Sequence, residues 1–138
     1  MGIYEIIYKR LEKLDIVTDG KAKKYRKSKS DPYMDFIVEK IADDLPNDNK
    51  GFVISIAHYF EQNGDLCCDP EMTIAIYPES KQAEALSFQQ AIPPIYQRVY
   101  PEPGMVSPRL KKDLNSFLKQ WLKNLIDQDH GKNWEAKP

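Results

Sequence analysis

The sequence predicts an α+β fold: an antiparallel sheet of four or five strands, with an N-terminal helix and a long C-terminal helix packed on it. Three observations carry this reading. Residues 52–61 alternate large apolar side chains with small or polar ones. A turn-forming Asn63-Gly64-Asp65 then leads into a second alternating run that reaches Tyr77. Residues 3–14 and 110–125 instead repeat their apolar side chains at helical spacing.

In the first segment Ile3, Ile6, Ile7, Arg10, Leu11 and Leu14 fall at helical spacing, and Glu5, Lys9, Glu12 and Lys13 lie mostly on the other side. The pattern stops near Thr18-Asp19-Gly20. Lys21, Lys23, Lys24, Arg26, Lys27 and Lys29 then crowd around Tyr25 without an apolar period that would bury a face. Residues 19–31 are therefore expected to form a mobile basic loop. Residues 33–41 fit two periods: Met34, Ile37, Val38 and Ile41 suit a helix, whereas Met34, Phe36 and Val38 suit a strand. The strand is favoured, because Phe36-Ile37-Val38 is aromatic and β-branched and Asp31-Pro32 disfavours helical entry. Turn formers between Leu45 and Gly51 reverse the chain.

In the run that follows, Phe52, Ile54, Ile56, His58 and Phe60 face the core, while Val53, Ser55, Ala57, Tyr59 and Glu61 face away. Across the turn Met72, Ile74 and Ile76 alternate against Thr73, Ala75 and Tyr77. A one-residue slip would turn every apolar side chain of a strand to the wrong face, so Ile56 should pair with Met72 and Ile54 with Ile74. That register leaves a three-residue loop at 63–65, sets His58 opposite Pro70 on the core face, and gathers Glu61, Asp69 and Glu71 on the outer face. Shorter strands are expected at 83–90, with Leu86 and Phe88 on one side, and at 95–100, with Ile95, Gln97 and Val99 alternating against Tyr96, Arg98 and Tyr100. Ser107 caps the last helix and Pro108 occupies its first turn, where no amide donor is lost. Leu110, Leu114, Phe117, Leu118, Trp121, Leu122 and Leu125 form its apolar stripe. The helix ends near Gly131, leaving 132–138, with Trp134, as a loose tail.

The 138 residues read as a single domain, 1–138. Apolar residues make up 41% and charged residues 30%, so composition points to neither a disordered nor a fibrous chain. Lysine and arginine number 20 against 21 acidic residues, so no whole-molecule field gathers nucleic acid or anionic lipid. No apolar run approaches the roughly twenty residues of a membrane span, and Glu5 ahead of Lys9 and Arg10 is the wrong order for a secretory signal. A cytoplasmic location without a membrane partner is expected. Adjacent Cys67 and Cys68 point to opposite faces of an extended chain and read as free thiols. With His58 and His130 the sole histidines and no second cysteine pair, neither a metal site nor a cofactor is expected.

The hairpin string Ile56-Ala57-His58-Tyr59-Phe60-Glu61-Gln62-Asn63-Gly64-Asp65-Leu66, followed by Asp69-Pro70-Glu71-Met72, resembles an uncharacterised bacterial family, a domain of unknown function met on chromosomes, plasmids and other mobile elements. The resemblance runs on through Ser87-Phe88-Gln89-Gln90, Ile95-Tyr96-Gln97-Arg98-Val99-Tyr100 and the helix from Leu114 to Leu125, covering roughly 33–131. A second uncharacterised group, from proteobacteria, is similar over 73–125, notably at Ala83-Glu84 and Trp121-Leu122. Neither resemblance implies a catalytic residue, ligand or partner, and the basic stretch 21–29 lies outside the matching part.

No Gly-rich phosphate loop, serine nucleophile elbow or His-Glu-x-x-His pattern occurs, so no catalytic, cofactor-binding or metal-ligating residue is assigned. The preferred reading is a small non-enzymatic binding or accessory protein, tied to a mobile element through the resemblance. Its expected partner is another protein. Nucleic acid is the second candidate, through Lys23, Lys24, Arg26 and Lys27 on phosphates and Tyr25 stacked on a base. The alternative is a hydrolase or nuclease-like enzyme using Glu61, Asp69 and Glu71, which would have to converge with a further ligand such as Glu84. His58 stands apart from that acidic group. Its inward position predicts a buried, hydrogen-bonded core histidine.

Overall fold

The structure, a computed structural model, describes the chain apart from residues 32, 46–49, 63–64, 92–93, 103 and 136–138, and within 59–69 it describes backbone only. Helix α1 (Ile3–Lys13) buries Ile7, Tyr8 and Leu11. Six strands follow: β1 (Tyr25–Ser28), β2 (Phe36–Ala42), β3 (Phe52–Gln62), β4 (Asp65–Tyr77), β5 (Gln82–Gln90) and β6 (Ile95–Arg98). They lie in one sheet in sequence order, each antiparallel to the next. Helix α2 (Pro108–Asp127) and a single 3₁₀ turn at His130–Lys132 complete the chain. The Ser107 side chain accepts from the Leu110 amide, with Pro108 in the first turn, as the sequence predicts. No helix is long and apolar enough to cross a membrane among the described residues.

Both helices cover one face of the sheet. Ile7, Leu11, Leu118, Leu122 and Leu125 join Phe36, Val38, Ile54, Ile56, Ile74 and Ile76 in the main core. Phe117, expected in the apolar stripe of α2, is instead exposed and turns its ring edge-on to Phe88 at 5.5 Å between centroids. Among the described residues no helix lies on the opposite face. A small second cluster forms there where Leu45 packs on Val53 and Ala75, with Tyr77 and Leu86 at its border. Where β3 begins, a Cβ on Gly51 would lie 2.2 Å from the Ile76 carbonyl oxygen, so only glycine lets the chain pass so close to β4.

The expected pairing of Ile56 with Met72 and Ile54 with Ile74 is present. Beyond it the register shifts by one between Ala57 and Tyr59, so Gln62 pairs with Asp65 and the expected three-residue loop becomes two residues. A second shift, between Thr73 and Ile74, leaves Leu86 as an extra residue in β5. This bulge corrects the reading of 83–90: Leu86 and Phe88 do not share a side. Ala83, Ala85 and Phe88 belong to the main core, whereas Leu86 joins the second cluster on the open face. A third shift falls between Lys40 and Ala42 in β2.

The sheet has six strands, not four or five, because part of the stretch read as a basic loop is strand β1. Tyr25–Ser28 pairs with β2 from Glu39 to Phe36. The segment finds its partners far along the chain. Ser28 is fully buried; its hydroxyl donates to the His130 carbonyl (2.8 Å) and accepts from the His130 ring at Nδ1 (2.9 Å). The Arg26 guanidinium lies 4.3 Å from the centre of the Trp134 ring and bonds to the Asp15 carbonyl. Trp134, placed by the sequence in a loose tail, bridges Ser28 and donates its indole N–H to the Leu14 carbonyl (2.9 Å). Bonds from Lys29 N–H to Asn133 and from Glu135 N–H to Lys27 complete a short cover over the outer edge of β1.

The other side of the sheet is closed only in part. Strand β6 covers the second half of β5. Ahead of it, the Ala85 amide donates to the buried side chain of Asn115 (2.8 Å), whose own amide donates to the Lys111 carbonyl (2.7 Å). Helix α2 thus satisfies a strand donor that has no strand neighbour.

Candidate functional site

The open face is shaped by small side chains. Thr73 and Ala75 on β4 and Ser87 on β5 form a low floor, and Leu45, Tyr77 and Leu86 stand along one side of it. Tyr96, Arg98, Tyr100, Pro101, Glu102 and Gly104 rise on the other, enclosing a cleft of about 550 Å³. The Leu86 bulge is what makes this lining: it turns two consecutive residues, Leu86 and Ser87, toward the cleft. On the floor the Thr73 and Ser87 hydroxyls are 2.5 Å apart and bond to each other.

At the end nearest α2, Glu84 is held from two sides. The Tyr77 hydroxyl donates to Oε1 (2.6 Å) and the Tyr100 hydroxyl to Oε2 (2.9 Å). Lys111 Nζ donates to the Tyr100 hydroxyl (3.3 Å) and stands 3.8 Å from Glu84 Oε2. Burial and the bond to Glu84 raise the pKa of both tyrosines, so both hydroxyls stay protonated at neutral pH. Burial pulls Lys111 down, but the Tyr100 hydroxyl and the Glu84 charge outweigh it and its pKa rises. The network is therefore a set of fixed donors around an internally paired carboxylate. A general base needs a deprotonated group with a lone pair free to accept a proton, which the protonated hydroxyls of Tyr77 and Tyr100 do not offer.

Of the residues singled out from the sequence, Glu84 lines this cleft, whereas Glu71 and His58 do not. Glu71 accepts a hydrogen bond from Ser55 (3.1 Å). The side chains of Glu61 and Asp69 lie outside the described residues, as do those of Cys67, Cys68 and Phe60. His58 is buried on the core side, its Nδ1 3.1 Å from the Asp35 carbonyl, and it packs against Phe36 and Trp121. Within the basic stretch Tyr25 is exposed and Lys23 and Lys24 are exposed, while Arg26 is tied to Asp15 and Trp134, and Lys27 pairs with Asp35 at 3.5 Å. Among the described residues no group of three or more His, Cys, Asp or Glu side chains is placed to hold a metal ion.

Tyr77, Tyr100 and Lys111 were missed as site residues because they meet only in three dimensions. The readable hint was Glu84 between Ala83 and Ala85, a carboxylate alternating outward from two core alanines. A family model described as a domain of unknown function (DUF6908) matches residues 4–131. No curated protein and no solved structure matches the chain.

Proposed function

The chain belongs to that family of unknown function, and from its geometry we propose that it is a non-enzymatic binding module whose open sheet face receives a segment of a partner protein. The cleft of about 550 Å³ carries this reading. Its leucine walls and small floor suit apolar side chains, its tyrosine rim suits contacts that are part apolar and part polar, and its paired hydroxyls give directional hydrogen bonds. Its charge is balanced: Arg98 on the rim is offset by Glu102, and Glu84 by Lys111. A cleft for phosphates would show an excess of cations. Nucleic acid is also less favoured at the basic stretch, where Arg26, Lys27 and Lys29 are each engaged by an acidic side chain of the same chain.

The test is to select short random peptides on the full-length protein and map them by ¹H–¹⁵N NMR. Selected peptides should shift the amides of Thr73, Ala75, Ser87 and Tyr96, and Ser87→Trp, which fills the floor, should weaken them about tenfold or more. Peptides that shift only residues elsewhere, or that bind Ser87→Trp as well as the parent, would refute the assignment.

A further inference from the structure

The two sheet edges are treated differently by this chain. The outer edge of β1 is covered by Asn133, Trp134 and Glu135, and β5 ahead of β6 by Asn115. Strand β6 ends the sheet order, and among the described residues nothing pairs with its outer edge. The Val99 amide bonds inward to Leu86, so by strand alternation Gln97 and Ile95 also point toward β5, whereas the backbone groups of Tyr96 and Arg98 point outward. Natural edges are usually blunted by shortness, charge, proline, bulges or a covering segment. Ile95-Tyr96-Gln97-Arg98 is short and carries one charge, Arg98, but has no lysine, no proline and no inward charge. Exposed apolar side chains lie on the strand itself, Ile95 and Tyr96 (64% exposed), in the segment that follows it, Met105 and Val106, and on α2 at Phe117, which packs on Phe88 of the neighbouring β5.

We propose that β6 pairs antiparallel with β6 of a second copy, joining two sheets into one across a twofold axis at Gln97. The strand is complementary to itself in this register. Placing Gln97 opposite Gln97 sets Tyr96 opposite Arg98 of the other copy, twice, and these are the two residues whose backbone N–H and C=O groups point outward. Every outward group of the strand then gains a partner. Tyr96 and Arg98 also share the open face, so each ring meets a guanidinium across the axis in a reciprocal cation–π pair. Arg98 keeps its bond to the Pro101 carbonyl (2.8 Å), because a guanidinium has donors to spare. The same register sets Ile95 opposite Val99 of the other copy, next to Val106, and hides part of the exposed apolar group. A centre on Tyr96 would instead put Arg98 against Pro94, which has no amide to give. Because the axis is perpendicular to the sheet, both clefts open on the same side of the joined sheet. The pairing does not depend on what the clefts bind.

The experiment is sedimentation equilibrium of the full-length protein and two charge variants. The parent should be a dimer in the micromolar range. Tyr96→Lys sets like charges opposite Arg98 twice and should weaken the dimer about tenfold or more. Tyr96→Glu places opposite charges there and should keep the dimer, with a salt dependence the parent lacks. A monomeric parent, or a dimer indifferent to both substitutions, would overturn the proposal. Ser87→Trp should remain dimeric, so loss of peptide binding and loss of pairing are separately readable.

Discussion

Asn115 shows how much one side chain can decide at the edge of a sheet. It is almost fully buried, accepts from the Ala85 amide and donates to the Lys111 carbonyl. Asn115→Leu leaves the Ala85 N–H without a partner and should cost about 1–3 kcal/mol, measured by urea unfolding. In the sequence this residue is invisible. It reads as a polar side chain beside the apolar stripe of α2, and its partner lies thirty residues earlier on a strand whose neighbour ends short. His58 is the contrasting case: period-two alternation alone placed it on the core side, where it lies. Alternation fixes a direction, but it says nothing of what waits there.

Strand β1 is the element that local pattern could not find. Its residues lack an apolar period because their apolar partner, Trp134, arrives from the other end of the chain. Clustered cations are therefore unequal. Replacing exposed Lys23 and Lys24 with Ser should leave stability within about 0.5 kcal/mol. Arg26→Ser removes the ring contact and the bonds to Asp15, and should lower stability by about 1–2 kcal/mol. Paired denaturation curves of the two variants test the difference. Elements with their own period fared better: both helices, and the pairing of Ile54 and Ile56 with Ile74 and Met72, were legible because each buries its own face.

Across the whole molecule the tail, β1, β2 and α2 meet at His130, which is fully buried against Phe36 and 5.8 Å from the His58 ring. Burial, then the His58 charge, depresses its pKa from 6.5 to about 4, against a smaller pull from Asp35 and the Met34 carbonyl. The unfolded chain takes up this proton near 6.5 and the folded chain does not until about 4. Stability from this group is thus complete above 6.5 and is lost as pH falls toward 4, on the order of 3 kcal/mol. Urea midpoints should fall through that window, and His130→Phe should flatten most of the slope. The global architecture was readable at this level, an N-terminal and a C-terminal helix packed on an antiparallel sheet, whereas the sixth strand and the cleft were not. The cleft's tyrosines and lysine come from β4, the segment after β6 and α2, and a bulge turns its leucine out of phase.

That bulge separates two kinds of change in the protein's history. Ala85 faces the core, Leu86 and Ser87 face the cleft, and Phe88 returns to the core. Loss of Leu86 alone would restore plain alternation, with Ala85 and Phe88 still inward and Ser87 still outward. The wall of the cleft can therefore be gained or lost by a one-codon insertion or deletion that leaves every core neighbour in its place. The shape of the cleft can drift along such a lineage while the fold is inherited unchanged.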